Sequence, residues 1–196
     1  MSTERLEAFS DGVFAILITI MVLELKVPHG ADTAALTPLI PIFLTYVLSY
    51  VVLGIYWNNH HHMLQATDRI HGGVLWANLH LLFWLSLIPF VTGWMGENHF
   101  AALPTAAYGV VMVGAAIAYT ILQTTILKEN DQNPRLAQAI GSDSKGKVSM
   151  ILYIAAVPLA FVNQFISDAI FVFVALMWLV PDRRIEGRIA GRTEMK

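Results

Sequence analysis

The chain has 196 residues, and its composition excludes most soluble folds. Only 13% of the residues are charged, against about 25% in a soluble globular domain, and the mean hydropathy is +0.60. Acidic and basic residues are absent from four stretches, residues 33–67, 70–96, 98–127 and 148–167. Each stretch is long enough to cross a hydrocarbon core about 30 Å thick as a helix. We therefore predict an all-α integral membrane protein, which excludes a soluble enzyme, a nucleic-acid binder and a disordered chain.

Six transmembrane helices are predicted in chain order, at residues 4–27, 38–62, 73–94, 103–127, 148–163 and 168–181. Pro38 and Pro41 suit the first turn of the second helix, where the backbone needs no N–H donor. Pro89 predicts a kink towards the end of the third helix. Two small residues of the fourth, Gly109 and Gly114, favour close packing against other helices.

Basic residues indicate how these helices are oriented. Lysines and arginines flank the stretch 148–180 on both sides, so both flanks belong to the cytoplasm and two crossings must join them. With six crossings both termini are cytoplasmic, and 11 of the 12 cations fall on that side. The outer side then carries one cation and four acids, a net charge of 1 − 4 = −3 per chain, which favours a cation pathway. These five residues are Lys26, Glu24, Asp32, Glu97 and Asp168.

The first helix differs from the other five because it carries charged residues near or within membrane depth. Such residues are costly when they face lipid, so this helix is predicted to lie in the interior. On a helical projection Ile16, Ile20 and Leu23 share one face within roughly 40°, and Asp11 lies about 140° away. The spacing alone favours a packing seam, and a hydrophobic pore constriction is the alternative.

The start of this helix resembles a known signature. The segment Arg5-x-x-x-Phe9-Ser10-Asp11-Gly12-Val13-Phe14-Ala15-Ile16, followed by Thr19, resembles the R-x-x-x-F-S-D motif of the transmembrane protein 175 family. These are potassium channels that lack the TVGYG filter, and this chain also has no such loop. The resemblance extends to the six spans, to Trp57 with His60 and His61, and to Asn78 with Pro89.

The resemblance implies that the first helix lines a pore through which K⁺ moves passively, as in a leak-type channel. Ile16 would then form the narrowest ring, Ile20 and Leu23 would complete the constriction, and Thr19 would contribute to selectivity with Ile16. A structural network behind the pore wall would contain Arg5, Phe9, Ser10, Asp11, Trp57, His60, His61 and Asn78. A single copy of the motif implies a homotetramer, as in the prokaryotic type, embedded in the lipid bilayer of the plasma membrane.

Two rival functions stay open at this point. A proton- or ion-coupled transporter would use Asp11 and the histidines as a relay. A metal-dependent intramembrane enzyme would use His60–His62 with Asp68, but consecutive helical residues point about 100° apart and do not converge as i and i+4 ligands do. The absence of cysteine also removes thiolate catalysis and Cys-ligated metals. We therefore predict neither an enzyme nor a bound metal, and no cofactor apart from the permeant K⁺.

Overall fold

The computed structural model describes residues 2–67, 70–130 and 143–179, and within these ranges it contains helices and no strand. A 3₁₀ helix, Thr33–Leu39, leads directly into the second α-helix. The α-helices are α1 (Thr3–Val22), α2 (Ile40–Gln65), α3 (Gly72–Ser86), α4 (Ile88–Glu97), α5 (Ala102–Glu129), α6 (Ser144–Val162) and α7 (Gln164–Leu179). The predicted all-α class is confirmed.

Four helical segments are long and apolar enough to cross a membrane by length and composition: Thr33–Gln65, Gly72–Glu97, Ala102–Glu129 and Ser144–Val162. The shorter helix α7 is also apolar. Helix α1 is not apolar enough to be counted with these four segments, because acidic and basic residues occupy its first turns. The protein is therefore a multi-pass membrane protein in which α1 is chemically unlike its neighbours.

The end of α1 and the middle of the third predicted span differ from the prediction for clear backbone reasons. Helix α1 ends at Val22 rather than at residue 27, because the amides of Leu23, Glu24 and Leu25 bond to carbonyls only three residues back. The predicted third span is divided into α3 and α4 at Leu87, two residues before Pro89. Proline removes one N–H donor and its ring clashes with the preceding turn, so the kink predicted at Pro89 is present.

The last two helices meet at a sharp turn. Asn163 has extended backbone angles (φ −160°, ψ 108°), and its Oδ1 accepts a hydrogen bond of 3.0 Å from the amide of Phe165. At the other end of α6, Asp143 is the N-cap and accepts from the amide of Gly146 at 3.2 Å, so the helix starts four residues earlier than predicted. α6 and α7 are thus separate helices that pack against each other.

Helix α5 is the centre of the bundle and contacts α3, α4, α6 and α7. Gly109 and Gly114 allow this close packing. A Cβ at Gly109 would lie 3.0 Å from Val157 Cγ2, and one at Gly114 would overlap the indole ring of Trp84. Helix packing therefore requires glycine at position 114 and leaves little room for a side chain at position 109.

Candidate pore helix and its anchoring network

Helix α1 has two faces with different surroundings. Its buried residues recur at helical spacing and pack towards α2, α3 and α4; they are Leu6, Ser10, Phe14, Leu17 and Met21. The predicted constriction residues lie on the opposite side, where Ile16 is 57% exposed, Ile20 42% and Leu23 75%. The described part of this chain leaves that apolar face uncovered, which makes it available to lipid, water or another copy of the chain.

Thr19 lies on the same exposed face as these apolar residues. Its hydroxyl donates to the carbonyl oxygens of Ala15, at 2.9 Å, and Ile16, at 3.0 Å. Because the hydroxyl proton is directed to the helix backbone, the lone pairs of Oγ1 are left to face outwards. Thr19 can therefore offer an oxygen ligand to a cation beside α1.

Three fully buried polar side chains tie α1 to α2 and α3, and we call them the anchoring trio: Ser10, His60 and Asn78. Asn78 Nδ2 donates to Ser10 Oγ at 3.0 Å, and Asn78 Oδ1 lies 2.7 Å from His60 Nε2. Since an amide oxygen only accepts, Nε2 of His60 carries the proton. Ser10 Oγ in turn donates to the carbonyl of Leu6 at 2.9 Å. The trio thus forms a directional chain of hydrogen bonds across three helices.

The ring of His60 is enclosed on its other side. Its centroid lies 5.7 Å from that of Phe14, and Nδ1 is buried without a hydrogen-bond partner in the described part of the chain. A missing donor to a nitrogen lone pair is less costly than a buried N–H without an acceptor, so a neutral ring protonated at Nε2 suits this site. The histidine is therefore held as a hydrogen-bond donor to Asn78.

A second set of contacts joins α1 to α2 nearer the surface, and we call it the carboxylate pairs. Trp57 Nε1 donates to Asp11 Oδ1 at 2.9 Å, and His61 Nδ1 lies 2.7 Å from Glu7 Oε1. The Trp57 indole stacks on His61 with centroids 5.8 Å apart and an interplanar angle of 26°. Each helix contributes residues four apart, so two antiparallel helices bring both pairs into register.

Six of the eight predicted network residues take part in the trio or the carboxylate pairs. Arg5 and Phe9 are instead exposed, Phe9 by 51%, and no hydrogen bond or ring contact within the described ranges joins them to the network. On a helical projection with 100° per residue, Arg5 lies about 140° from Ser10 and Phe9 lies about 100° from it. In the single chain this places them on the uncovered face, and their predicted place in the network is not seen.

Glu7 is a network residue that the sequence reasoning missed. It lies four residues before Asp11, as Trp57 lies four before His61, and this matched spacing was the available signal. Lys26, the one cation of the predicted outer side, also has an acidic partner. Its Nζ lies 2.5 Å from Glu97 Oε1, and that hydrogen bond raises the pKa of the exposed lysine.

The three consecutive histidines have different surroundings. His60 belongs to the anchoring trio, His61 pairs with Glu7, and His62 is exposed. Asp68, the fourth member of the metal hypothesis, lies outside the described residues. Across residues 2–67, 70–130 and 143–179, no three His, Asp or Glu side chains are grouped so that they could hold a metal ion.

Comparison with known proteins finds channels along the whole chain. Residues 5–89 match the family described as endosomal/lysosomal potassium channel TMEM175. A protein named a potassium channel in Chryseobacterium sp. (strain P1-3) is 52% identical over 186 residues, which cover 95% of this chain and 97% of that protein. The human protein named endosomal/lysosomal proton channel TMEM175 is 39% identical over 83 residues, which cover 34% of this chain and 16% of the human one. A crystal structure of a lysosomal potassium-selective channel TMEM175 homolog from Chamaesiphon minutus has a TM-score of 0.79 at 26% identity, and the match covers 91% of this chain and 96% of the other.

Proposed function

The chain belongs to the TMEM175 family, and on that premise we propose that it is a potassium channel whose pore is lined by copies of α1. The proteins it resembles are channels and not enzymes. The full-length likeness to a bacterial potassium channel supports K⁺ as the permeant ion and a prokaryotic plasma membrane as its location. The excess of cations on one side of the predicted topology supports cytoplasmic termini.

The observation that carries this proposal is the division of α1 into an anchored face and an uncovered apolar face. One helix does not enclose a pore, so several chains have to contribute one each under closed symmetry. We propose four copies, arranged so that Ile16, Ile20 and Leu23 form successive rings around the axis. Rings of aliphatic side chains exclude water when narrow and conduct only when they widen or wet.

Selectivity in this proposal comes from Ile16 and Thr19 together. A narrow ring at Ile16 strips water from an entering ion, and K⁺ gives up its water more readily than Na⁺. The outward lone pairs of Thr19 Oγ1 replace part of that lost hydration one turn away. The anchoring trio holds the buried face of α1 against α2 and α3, so it sets how far each isoleucine reaches towards the axis.

The substitution Ile16→Asn tests the constriction directly. An amide in place of the isoleucine binds water, so we expect a higher cation flux and a lower ratio of K⁺ to Na⁺ flux. The measurement is ion flux into liposomes that contain the purified protein. Ile151→Asn is the matched control, because Ile151 is 67% exposed on α6, away from α1. Flux and selectivity equal to wild type in Ile16→Asn would rule out Ile16 as the constriction.

A coupled transporter that moves protons is the second candidate. The carboxylate pairs favour it, since Glu7 and Asp11 lie next to His61 and Trp57 in the first half of α1. A transporter saturates with substrate and couples K⁺ movement to a pH gradient. A channel gives unitary currents that follow the K⁺ gradient alone, so single-channel recording separates the two.

A further inference from the structure

A cavity in the bundle lies apart from α1 and has no part in the proposed pore. It is enclosed by α2, α5, α6 and α7 near the start of α6, and no residue of α1 lines it. Its accessible volume is about 60 Å³, and one side of it is open. A single water needs about 10–15 Å³, so the cavity has room for a ligand group of a few heavy atoms.

Four aromatic side chains are among the residues that line the cavity. Tyr56 and Tyr119 meet with centroids 5.9 Å apart and ring planes 68° apart, so they make two adjoining walls. Tyr153 and Trp178 complete the aromatic lining from α6 and α7. The face of an aromatic ring is electron-rich and attracts a cation within about 6 Å, and several such faces around one space form an aromatic cage.

The indole of Trp178 already interacts with one cation of the chain. Its Nε1 donates to Ser149 Oγ at 2.9 Å, which fixes the ring, and Lys145 Nζ lies 5.9 Å from the ring centroid. Lys145 is not among the residues that line the cavity, so within the described part of the chain it does not occupy the space between Tyr56, Tyr119 and Tyr153.

An acidic group stands at the same cavity. Asp143 lines it as the N-cap of α6, where one carboxylate oxygen accepts from the amide of Gly146. Burial raises the pKa of this carboxyl, while the Gly146 hydrogen bond and the charge of Lys147 act in the opposite direction. A half-buried carboxylate is stabilised by a cation that enters beside it. Asn59 and Thr120 add neutral polar groups to the wall.

The chemistry of this wall fits an organic cation better than a metal ion. Ca²⁺ and Mg²⁺ require six or more oxygen ligands, and Asp143 is the one acidic residue among those that line the cavity. We propose that the cavity binds a small methylated ammonium ion of the choline type, with the tyrosine rings around the cation and Asp143 as its counter-charge. The ligand would bind once in every subunit, outside the ion pathway.

Choline binding to the purified, full-length channel in lipid nanodiscs tests this proposal, with saturation-transfer NMR of the methyl signal as the readout. We expect saturable binding that is at least about tenfold weaker in Tyr119→Leu, since a desolvated cation–π contact is lost. Tyr119→Phe keeps the ring and should retain binding. Asp143→Asn keeps the helix cap and removes the charge, so it should weaken binding by a similar factor.

The neutral isostere 3,3-dimethyl-1-butanol separates charge recognition from simple hydrophobic binding. It has the shape of choline without the charge, and we expect it to bind at least about tenfold less tightly. Equal binding of the two compounds, no saturable choline binding, or equal binding by Tyr119→Leu and wild type would each overturn the proposal. Ile16→Asn should bind choline like wild type, so failure of the pore proposal and failure of this one remain distinguishable.

Discussion

Helices α1 and α5 belong to the same bundle but are used differently. Helix α5 contacts four other helices and buries side chains from Pro104 to Ile126 along its length. Helix α1 contacts α2, α3 and α4 through one face only, and the apolar residues of its other face are exposed. Contacts along the whole length of α5 hold the single chain together, whereas within the described residues the exposed face of α1 makes no contact that stabilises it. Substitutions in α5 should therefore alter folding first, and substitutions on the exposed face of α1 should alter conduction first.

The substitution Gly114→Ala should have the largest effect on stability. Its Cβ would overlap the indole ring of Trp84, which also donates from Nε1 to His80 Nε2 at 3.1 Å. Moving the ring breaks that hydrogen bond and separates α3 from α5, so we expect a loss of about 2–3 kcal/mol. The measurement is thermal unfolding of the purified protein in detergent.

Gly54→Ala is the matched control for this substitution. Nothing lies within 4 Å of a Cβ at Gly54 on α2, so alanine should be neutral or should stabilise the helix by up to about 1 kcal/mol. An equal loss of stability in both variants would show that helical glycine itself, and not the Trp84 contact, is responsible.

The substitution Asn78→Leu tests the junction between the two regions, and a smaller effect is expected. It removes the acceptor of His60 Nε2–H and the donor to Ser10, which leaves the buried N–H of His60 without an acceptor and leaves Ser10 with its hydrogen bond to Leu6 alone. We expect a loss of about 1–3 kcal/mol, together with altered K⁺ to Na⁺ selectivity, because α1 is no longer held in position. Thermal unfolding and liposome flux measure the two effects.

Asn78→Asp provides a comparison for the same position. A carboxylate still accepts from His60 but no longer donates to Ser10. If the hydrogen bond to His60 stabilises the fold on its own, the stability of Asn78→Asp should lie between that of wild type and that of Asn78→Leu. Wild-type stability and selectivity in Asn78→Leu would show that the anchoring trio does not hold α1.

The smallest expected effect on stability belongs to Trp57→Phe. Phenylalanine keeps an aromatic ring over His61 but loses the N–H that donates to Asp11. The site is partly exposed, so we expect a loss below about 1 kcal/mol with a measurable change in the flux ratio of K⁺ to Na⁺. A large loss of stability with unchanged selectivity would place Trp57 with the scaffold formed around α5 and not with the ion pathway.

The parts of the fold that follow from local chemistry were predictable from the sequence. The charge-free stretches predict the apolar helices, and Pro89 predicts a kink in the third span because its backbone effect needs no tertiary partner. The small residues of α5 predicted close packing, but not that Trp84 is the side chain at Gly114. Which side chain packs on a given glycine depends on how the two helices are rotated about their axes. The spacing of residues within one helix does not specify that rotation.

The anchoring trio and the carboxylate pairs also contain contacts that the sequence predicted and contacts that it did not. The family resemblance placed Ser10, His60 and Asn78 in one network behind the pore wall, and the structure joins them by hydrogen bonds. The pairing of Glu7 with His61 follows from the register between α1 and α2, which requires both helices to be aligned. The end of α1 at Val22 was also missed, because three-residue hydrogen bonds beyond it have no distinct sequence signal.

The central claim is that the chain forms a K⁺-conducting pore lined by α1. It is tested most directly by single-channel recording of the purified protein in a planar bilayer, with K⁺ on one side and an equal concentration of Na⁺ on the other. The account predicts unitary currents with a reversal potential displaced towards the K⁺ equilibrium potential, and a smaller displacement in Ile16→Asn. The absence of unitary currents, or the same reversal potential in both proteins, would contradict it.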